Sequence, residues 1–239
     1  MNFQKGEILV FDKPYRWTSF DVVGRVRGQM CRHIGVKKLK VGHAGTPDPL
    51  ATGVLIVSTG KATKRIEELQ AGTKEYIATL RLGATTPSFD LEKPIDATYP
   101  TEHITREMVE QVLQRFKGTI EQIPPEFSAC KIDGKRAYEL ARKGKEVELK
   151  PKTLVIDEIE LTDCSLPDIT IRVVCSKGTY IRALARDIGQ ALDSGAHLTA
   201  LRRTRVGDCK VGDALNPEHF KEWLETQEIE TDDEENKQQ

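Results

Sequence analysis

The chain has 239 residues, of which 38% are hydrophobic and 31% charged, with 18 Gly and 11 Pro, the composition of an ordinary soluble globular protein. In one domain such a chain buries roughly 70% of the surface that its unfolded form exposes, enough for a sizeable core. The longest uncharged run of the first 70 residues, 49–60, is broken by Thr52, Gly53, Ser58 and Thr59, far from the about 20 apolar residues of a membrane helix. Lys5, Glu7, Asp12 and Lys13 interrupt the N-terminus where a secretory signal would be apolar, so no membrane attachment is expected and the location expected is cytoplasmic. Five cysteines (Cys31, Cys130, Cys164, Cys175, Cys209) form no CxxC pair, and an odd count argues against a disulfide framework. Cys31 and His33 lack a second pair at zinc-site spacing, so no metal is implied.

The formal net charge of −1 conceals an asymmetry. Residues 225–239 hold seven acids and one base, leaving 35 bases and 30 acids, a net +5, for residues 1–224. The first 70 residues carry 12 Lys/Arg against 6 Asp/Glu, with Arg25, Arg27, Arg32, Lys37, Lys38 and Lys40 close together. A basic face of this kind is either a solvated helix and loop or a surface for nucleic acid.

Glu7–Phe11 is a short strand candidate, and Thr18 or Ser19 caps a helix to about Met30, with Asp21 in capping-box position. Val54–Val57 predicts a buried strand, Ala62–Leu69 a helix, and Tyr76–Leu82 an alternating strand with Tyr76, Ala78, Leu80 and Leu82 on one face. Thr105 caps a helix whose Val109, Val112, Leu113 and Phe116 follow helical spacing, and Gly118 closes it. Extended segments are expected at 126–132 and 146–161, a helix at 135–143 with Gly144 as its C-cap, a strand at Asp168–Cys175 and a helix at Tyr180–Leu192. Asn216-Pro217 starts a last short helix. The acid-rich stretch after Glu225 is too poor in hydrophobic residues to offset ordering entropy and is expected to be disordered. Without repeats or linkers, the expectation is one α+β domain over 1–224 and a tail over 225–239.

The segment VGHAGTPDPLATG (41–53) packs three glycines, two prolines and a single acid, Asp48, ahead of a strand. Prolines at 47 and 49 fix their own φ, and a residue before proline is pushed out of the helical region, so Asp48 has little backbone freedom. On spacing alone the result is either an Asx-turn acceptor or a rigidly presented carboxylate.

GHAGTPDPLATGVL resembles the G-H-x-G-T-L-D-P-x-A-x-G-x-L signature of the TruB family, the bacterial tRNA pseudouridine-55 synthases. Further segments match in order: Asp12-Lys13-Pro14 with Thr18-Ser19, Lys74-Glu75-Tyr76, QIPP (122–125) with Ser128-Ala129, GKRAYELAR (134–142), CSKGTYIR (175–182) and Leu201-Arg202-Arg203. The resemblance runs from about residue 5 to 210 and implies the pseudouridine-synthase fold, a central mixed β-sheet flanked by helices. It also implies a reaction without cofactor or metal, in which uracil is detached from C1′, rotated and rejoined through C5.

By this resemblance Asp48 is the nucleophile, a carboxylate able to trap the developing sugar cation as a glycosidase nucleophile does. Arg182 keeps Asp48 ionised and oriented. Tyr76 stacks on the flipped base and is the candidate for moving a proton. Tyr180 and Leu201 wall the uracil pocket, and His43 fills the space left by the flipped nucleotide. Each has an ordinary structural alternative: an ion pair for Arg182, core packing for the tyrosines and Leu201.

The implied partner is the T stem-loop of tRNA, met by the basic N-terminal third and by residues 126–152, which include Lys131, Lys135, Arg136, Arg142, Lys143 and Lys145. No obligate protein partner is expected. Pro47 stands where the pattern has leucine, Ala44 where threonine is frequent and Arg16 where glycine is frequent. The C-terminal PUA-type module of many members is not expected. The alternatives are a non-catalytic tRNA-binding or folding factor, against which intact Asp48, Tyr76 and Arg182 count, and a pseudouridine synthase acting on another RNA.

Overall fold

The Thr18 hydroxyl accepts the Asp21 N–H at 3.1 Å and the Asp21 carboxylate accepts the Thr18 N–H at 2.7 Å, the capping box expected from the sequence. These bonds satisfy donors that a helix start otherwise leaves orphaned, and the Thr18 hydroxyl, which donates to the Asp21 carboxylate at 2.7 Å, together with the Thr18 N–H holds that carboxyl below its usual range. The computed structural model describes residues 1–128, 131, 132, 135–137 and 149–231.

In chain order the described elements are β1 (Ile8–Lys13), α1 (Ser19–His33), β2 (Val41–Ala44), β3 (Ala51–Thr59), a 3-10 turn (Gly60–Arg65), α2 (Ile66–Ala71), β4 (Lys74–Leu82), β5 (Ala84–Thr85), β6 (Ala97–Thr98) and α3 (Arg106–Arg115). They continue with β7 (Gly118–Gln122), β8 (Lys131–Ile132), β9 (Lys135–Arg136), β10 (Lys152–Ser165), β11 (Asp168–Cys175), α4 (Ile181–Ala191), β12 (Ala196–Val206), β13 (Cys209–Lys210), a second 3-10 turn (Val211–Asp213) and α5 (Phe220–Glu225). The chain forms two compact units, one of Met1–Lys74 with the residues from Arg202 onward, the other of Glu75–Leu201.

In the first unit β3 lies antiparallel to β1, from Ile8 opposite Ser58 to Lys13 opposite Gly53, and to β2. Its apolar run is unbroken because both faces are covered. Leu55 and Val57 join Phe3, Phe11, Val22, Val26 and Met30 in one cluster, while Val54 and Ile56 join Ala44 and Val206 in another. Phe220 of α5 meets Phe11 edge-on at 5.1 Å, and Arg25 Nε of α1 donates to the Pro217 carbonyl at 3.1 Å. The Met1 amino group donates to the Glu228 carbonyl and the Glu230 N–H to the Met1 carbonyl, at 3.0 and 2.9 Å. Positions 232–239 of the expected tail lie outside the described residues.

The second unit carries the strand order β12–β4–β11–β10–β7. Its core packs Ala78, Leu80 and Leu82 of β4 with Ile169, Ile171 and Val173 of β11 against Val109, Val112 and Leu113 of α3 and Leu184 and Ile188 of α4. The alternation expected for Tyr76–Leu82 is observed. The opposite face is polar: Arg81 pairs in bidentate fashion with Asp168 at 2.9 and 2.7 Å, and Arg172 pairs with Glu75 at 2.7 Å and Glu158 at 2.6 Å.

Several local expectations shift. The helix expected at Ala62–Leu69 divides into the first 3-10 turn and α2. Asn216 caps a turn, its side chain accepting the Glu218 N–H at 2.8 Å, and the helix starts at Phe220. Lys135 and Arg136 pair with β8 as a strand, which removes the start of the helix expected at 135–143, and 138–148 lie outside the described residues. β2, β7 and β12 had no counterpart in the sequence reading. In β12, Arg203 is buried because Nε and Nη2 both donate to the Val54 carbonyl, at 2.9 and 2.7 Å. Among the described residues no helix is long and apolar enough to cross a membrane.

Candidate active site

The Asp48 loop joins β2 to β3 in the first unit. Its start is left-handed at Gly45 (φ 79°) and its end is closed by the Ala51 N–H donating to the Asp48 carbonyl at 2.9 Å. Pro47 is buried and Asp48 half-buried. The Pro49 carbonyl accepts from the Arg16 N–H at 2.9 Å and from Lys13 Nζ at 3.1 Å. Lys13 is fully buried, and its ammonium donates in addition to the carbonyls of Trp17 at 2.6 Å and Pro14 at 3.1 Å. Burial pulls its pKa down to about 8, opposed by the negative charge of Asp48 and assisted by Arg203. One side chain thus ties the loop to the β1–α1 junction and places a cation in the field of Asp48.

One glycine decides a close approach. At Gly53 (φ 102°) a Cβ would stand 2.1 Å from the Arg203 carbonyl oxygen, so only glycine lets β3 and β12 meet there. His43 sits on β2, half-buried, with Nδ1 donating to the Gly45 carbonyl at 2.6 Å, which fixes the ring against the loop backbone. That contact suits a conformational role. Arg202, beside the loop's anchor, pairs with Asp12 at 2.7 Å.

Tyr76, Tyr180, Arg182 and Leu201 belong to the second unit. Arg182, 3% exposed, donates from Nη1 to the Ser88 carbonyl at 3.2 Å and from Nη2 to the Phe127 carbonyl at 3.0 Å, and its Nε lies 3.9 Å from Asp90 Oδ2. Asp90 is also buried, accepting the Glu92 N–H at 2.9 Å, while the Thr86 hydroxyl donates to the Asp90 carbonyl at 2.6 Å. Tyr180 precedes α4, and the amide of Gln122 both accepts its N–H at 2.9 Å and donates to its carbonyl at 3.1 Å. Tyr76 packs with the core face of β4, and Leu201 lies half-buried against the same core.

Lys13, Asp90 and Gln122 were not singled out from sequence. Lys13 and Gln122 fall in matching segments, but a lone lysine or glutamine gives no sign of burial. Asp90 sits in a polar loop indistinguishable by composition from any other. Among the described residues no group of three His, Cys, Asp or Glu side chains could hold a metal ion.

Residues 32–181 match the TruB family pseudouridylate synthase N-terminal domain, and residues 182–236 the tRNA pseudouridylate synthase B C-terminal domain. The chain is 75% identical to tRNA pseudouridine synthase B of Phocaeicola vulgatus, over 96% of this chain and 98% of that one. It is 73% identical to the protein so named in Bacteroides thetaiotaomicron, over 99% and 100% of the two chains. Among solved structures it resembles a Cbf5-Nop10-Gar1 complex with a TM-score of 0.67 at 28% identity, covering 94% of this chain and 57% of that one. It also resembles an H/ACA RNP bound to a substrate RNA containing 2′-deoxyuridine, with a TM-score of 0.65 at 28% identity over 93% and 56%. It thus spans little more than half of those two chains. The fold is the α+β pseudouridine-synthase fold, with its sheet flanked by helices, as the sequence led one to expect. The chain belongs to the TruB family of pseudouridylate synthases.

Proposed function

We propose that this enzyme converts uridine-55 in the T-loop of tRNA to pseudouridine, with Asp48 as nucleophile acting on a base flipped out of the stack. Family membership makes it an RNA pseudouridine synthase, an isomerase that rejoins the same base to the same sugar. The observation that carries the finer reading is the Asp48 loop, whose single acid is presented half-buried on a backbone anchored at Pro49 by Lys13 and Arg16. A carboxylate so held meets C1′ with little reorganisation, which is the condition for covalent or ion-pair capture of an oxocarbenium-like centre.

In this reading Arg182 keeps Asp48 ionised, the Tyr76 ring stacks on the uracil while its hydroxyl moves a proton, and Tyr180 and Leu201 wall the base. His43 occupies the gap left by the flipped nucleotide. No cofactor or metal enters the scheme, and the isomerisation needs no redox partner. The exposed Arg25, Arg27, Arg32, Lys37, Lys38 and Lys40 are suited to RNA phosphates; most of 126–152 lies outside the described residues. The reading assigns the chemistry to residues 1–224, sets the acidic stretch 225–239 apart from it, and places the enzyme in the cytoplasm without an obligate protein partner. The test is carbodiimide primer extension on unmodified tRNA transcripts: the wild-type protein is expected to leave one modified uridine in the T-loop and Asp48→Asn none. A mark elsewhere in the RNA would move the substrate, and a mark left by Asp48→Asn would remove the nucleophile.

A further inference from the structure

Phe89 holds a left-handed backbone (φ 64°), a conformation that a bulky side chain adopts only when its surroundings impose it. Its N–H donates to the Thr86 carbonyl at 3.1 Å and its carbonyl accepts the Leu198 N–H at 2.8 Å. The residues on either side of it, Ser88 and Asp90, are those whose carbonyl and carboxylate face Arg182. A relaxed backbone at 89 would turn one or both away.

Arg186 lies one helical turn beyond Arg182 on the same face of α4. Its guanidinium stands 4.9 Å from the centre of the Phe89 ring, a cation–π contact. Its Nη2 donates to the Ile123 carbonyl at 2.9 Å and its Nε pairs with Asp187 at 2.8 Å. Arg182 makes the parallel pair of contacts, to Ser88 in the same turn and to Phe127 in the same downstream segment. Lys93 adds a third link, with its ammonium 5.5 Å from the Phe127 ring centre.

We propose that Arg186 and Phe89 are a positioning pair for the isomerisation. Through the ring of Phe89 and the carbonyl of Ile123, Arg186 stitches the 86–90 turn to the 123–127 segment and so holds Ser88 and Asp90 against Arg182. Neither residue touches the reacting atoms; they act through the guanidinium of Arg182. This inference rests on the reading of Arg182 as an active-site group.

The experiment compares single-turnover pseudouridine formation at saturating unmodified tRNA transcript, and transcript affinity, for wild type, Phe89→Gly, Arg186→Met, Arg186→Lys and the Phe89→Gly/Arg186→Met double variant. Glycine takes φ 64° freely, so Phe89→Gly removes the ring while leaving the turn accessible. Phe89→Gly and Arg186→Met should each lower the rate about tenfold with affinity changed less than about twofold. The double variant should fall no further than about tenfold, because both remove one linkage. Arg186→Lys, which keeps a cation over the ring, should recover to within about threefold of wild type. Rates within about twofold of wild type would overturn the proposal, as would a multiplicative loss of about a hundredfold in the double variant. Collapse of the thermal midpoint in Phe89→Gly would overturn it too, since the ring would then be core. No pseudouridine from wild type would instead reject the functional reading itself.

Discussion

The Asp48 loop takes its shape from its neighbours in sequence: Gly45, the prolines at 47 and 49, and a turn closed between Asp48 and Ala51. Arg182, in the second unit, is instead held by the carbonyls of Ser88 and Phe127, 94 and 55 residues away, with Asp90 beside its Nε. The first arrangement can lose its functional side chain and keep its backbone. The second is assembled around the side chain itself, because Arg182 donates to two buried carbonyls and sets its charge beside a buried carboxylate. A carboxylate on a loop of this kind and an arginine buried among its acceptors should therefore fail in different ways when removed.

The largest effect is expected at Asp48. Asp48→Asn should lower turnover by more than about a hundredfold, several kcal/mol in the barrier, with RNA affinity changed only a few-fold. Its thermal midpoint should stay within about 2 °C of wild type, since the amide keeps the shape of the carboxyl and the loop backbone keeps its anchors at Pro49. A large drop in midpoint would show that the loop depends on the carboxylate and erase the contrast. Arg182→Met should abolish activity as well, but with a loss of stability besides: leaving buried acceptors and a buried acid without their cation costs about 3–5 kcal/mol, read as a midpoint lowered by about 10 °C. An inactive Arg182→Met variant with an unchanged melt would mark the arginine as purely catalytic.

Gly53→Ala probes a long-range contact on which the end of the Asp48 loop relies besides its anchors at Pro49. A methyl there collides with the Arg203 carbonyl and strains a positive φ, so a loss of about 3 kcal/mol in urea melts is expected. Next in size is Lys13. Its folded-state pKa of about 8 lies below the ordinary 10.5, so below about pH 8 both folded and unfolded chains carry the proton and the full cost of burying the charge is present. Between the two values the folded chain releases its proton first. Stability relative to Lys13→Met should then rise with pH over this window, by at most about 1.4 kcal/mol per pH unit, and level off above it. Urea melts of the two proteins at several pH values between 7 and 10 would show it, and a constant difference would mean that Lys13 keeps its ordinary proton affinity.

The smallest effect is expected at the acidic end. Truncation after Thr231 removes four acids and one lysine while sparing the backbone contacts of Glu228 and Glu230 with Met1. A tethered polyanion competes with phosphates for the same cations, so truncation should tighten tRNA binding a few-fold at about 50 mM salt and hardly at all at about 200 mM. Equal affinities at low salt would mean that these residues never visit the basic surface.

Local chemistry made much of the fold legible. The capping box at Thr18, the alternation of Tyr76–Leu82 and the strand Asp168–Cys175 are each encoded within a few residues and appear as expected. Among the strands that escaped notice, β2, β7 and β12 did so for reasons of context. β2 hides in a segment dominated by glycine and proline, β7 is too short to show a period, and β12 carries three arginines that read as surface. The Val54 carbonyl accepts from Arg203, and Asp12 pairs with Arg202, both supplied from elsewhere in the chain.

The same division runs through the site. The family pattern offers Asp48, Tyr76, Tyr180, Arg182, Leu201 and His43 as candidates, because residue type and spacing survive in a linear string. It could not show that Lys13 is buried beneath the loop, that Gln122 grips the main chain of Tyr180, or that Ser88, Asp90 and Phe127 gather around Arg182. Turns, caps and alternation are settled by torsional preferences of adjacent residues, so the sequence alone determined them. Burial of a charge and satisfaction of a carbonyl depend on atoms tens of residues distant, and only the folded chain brings those atoms together.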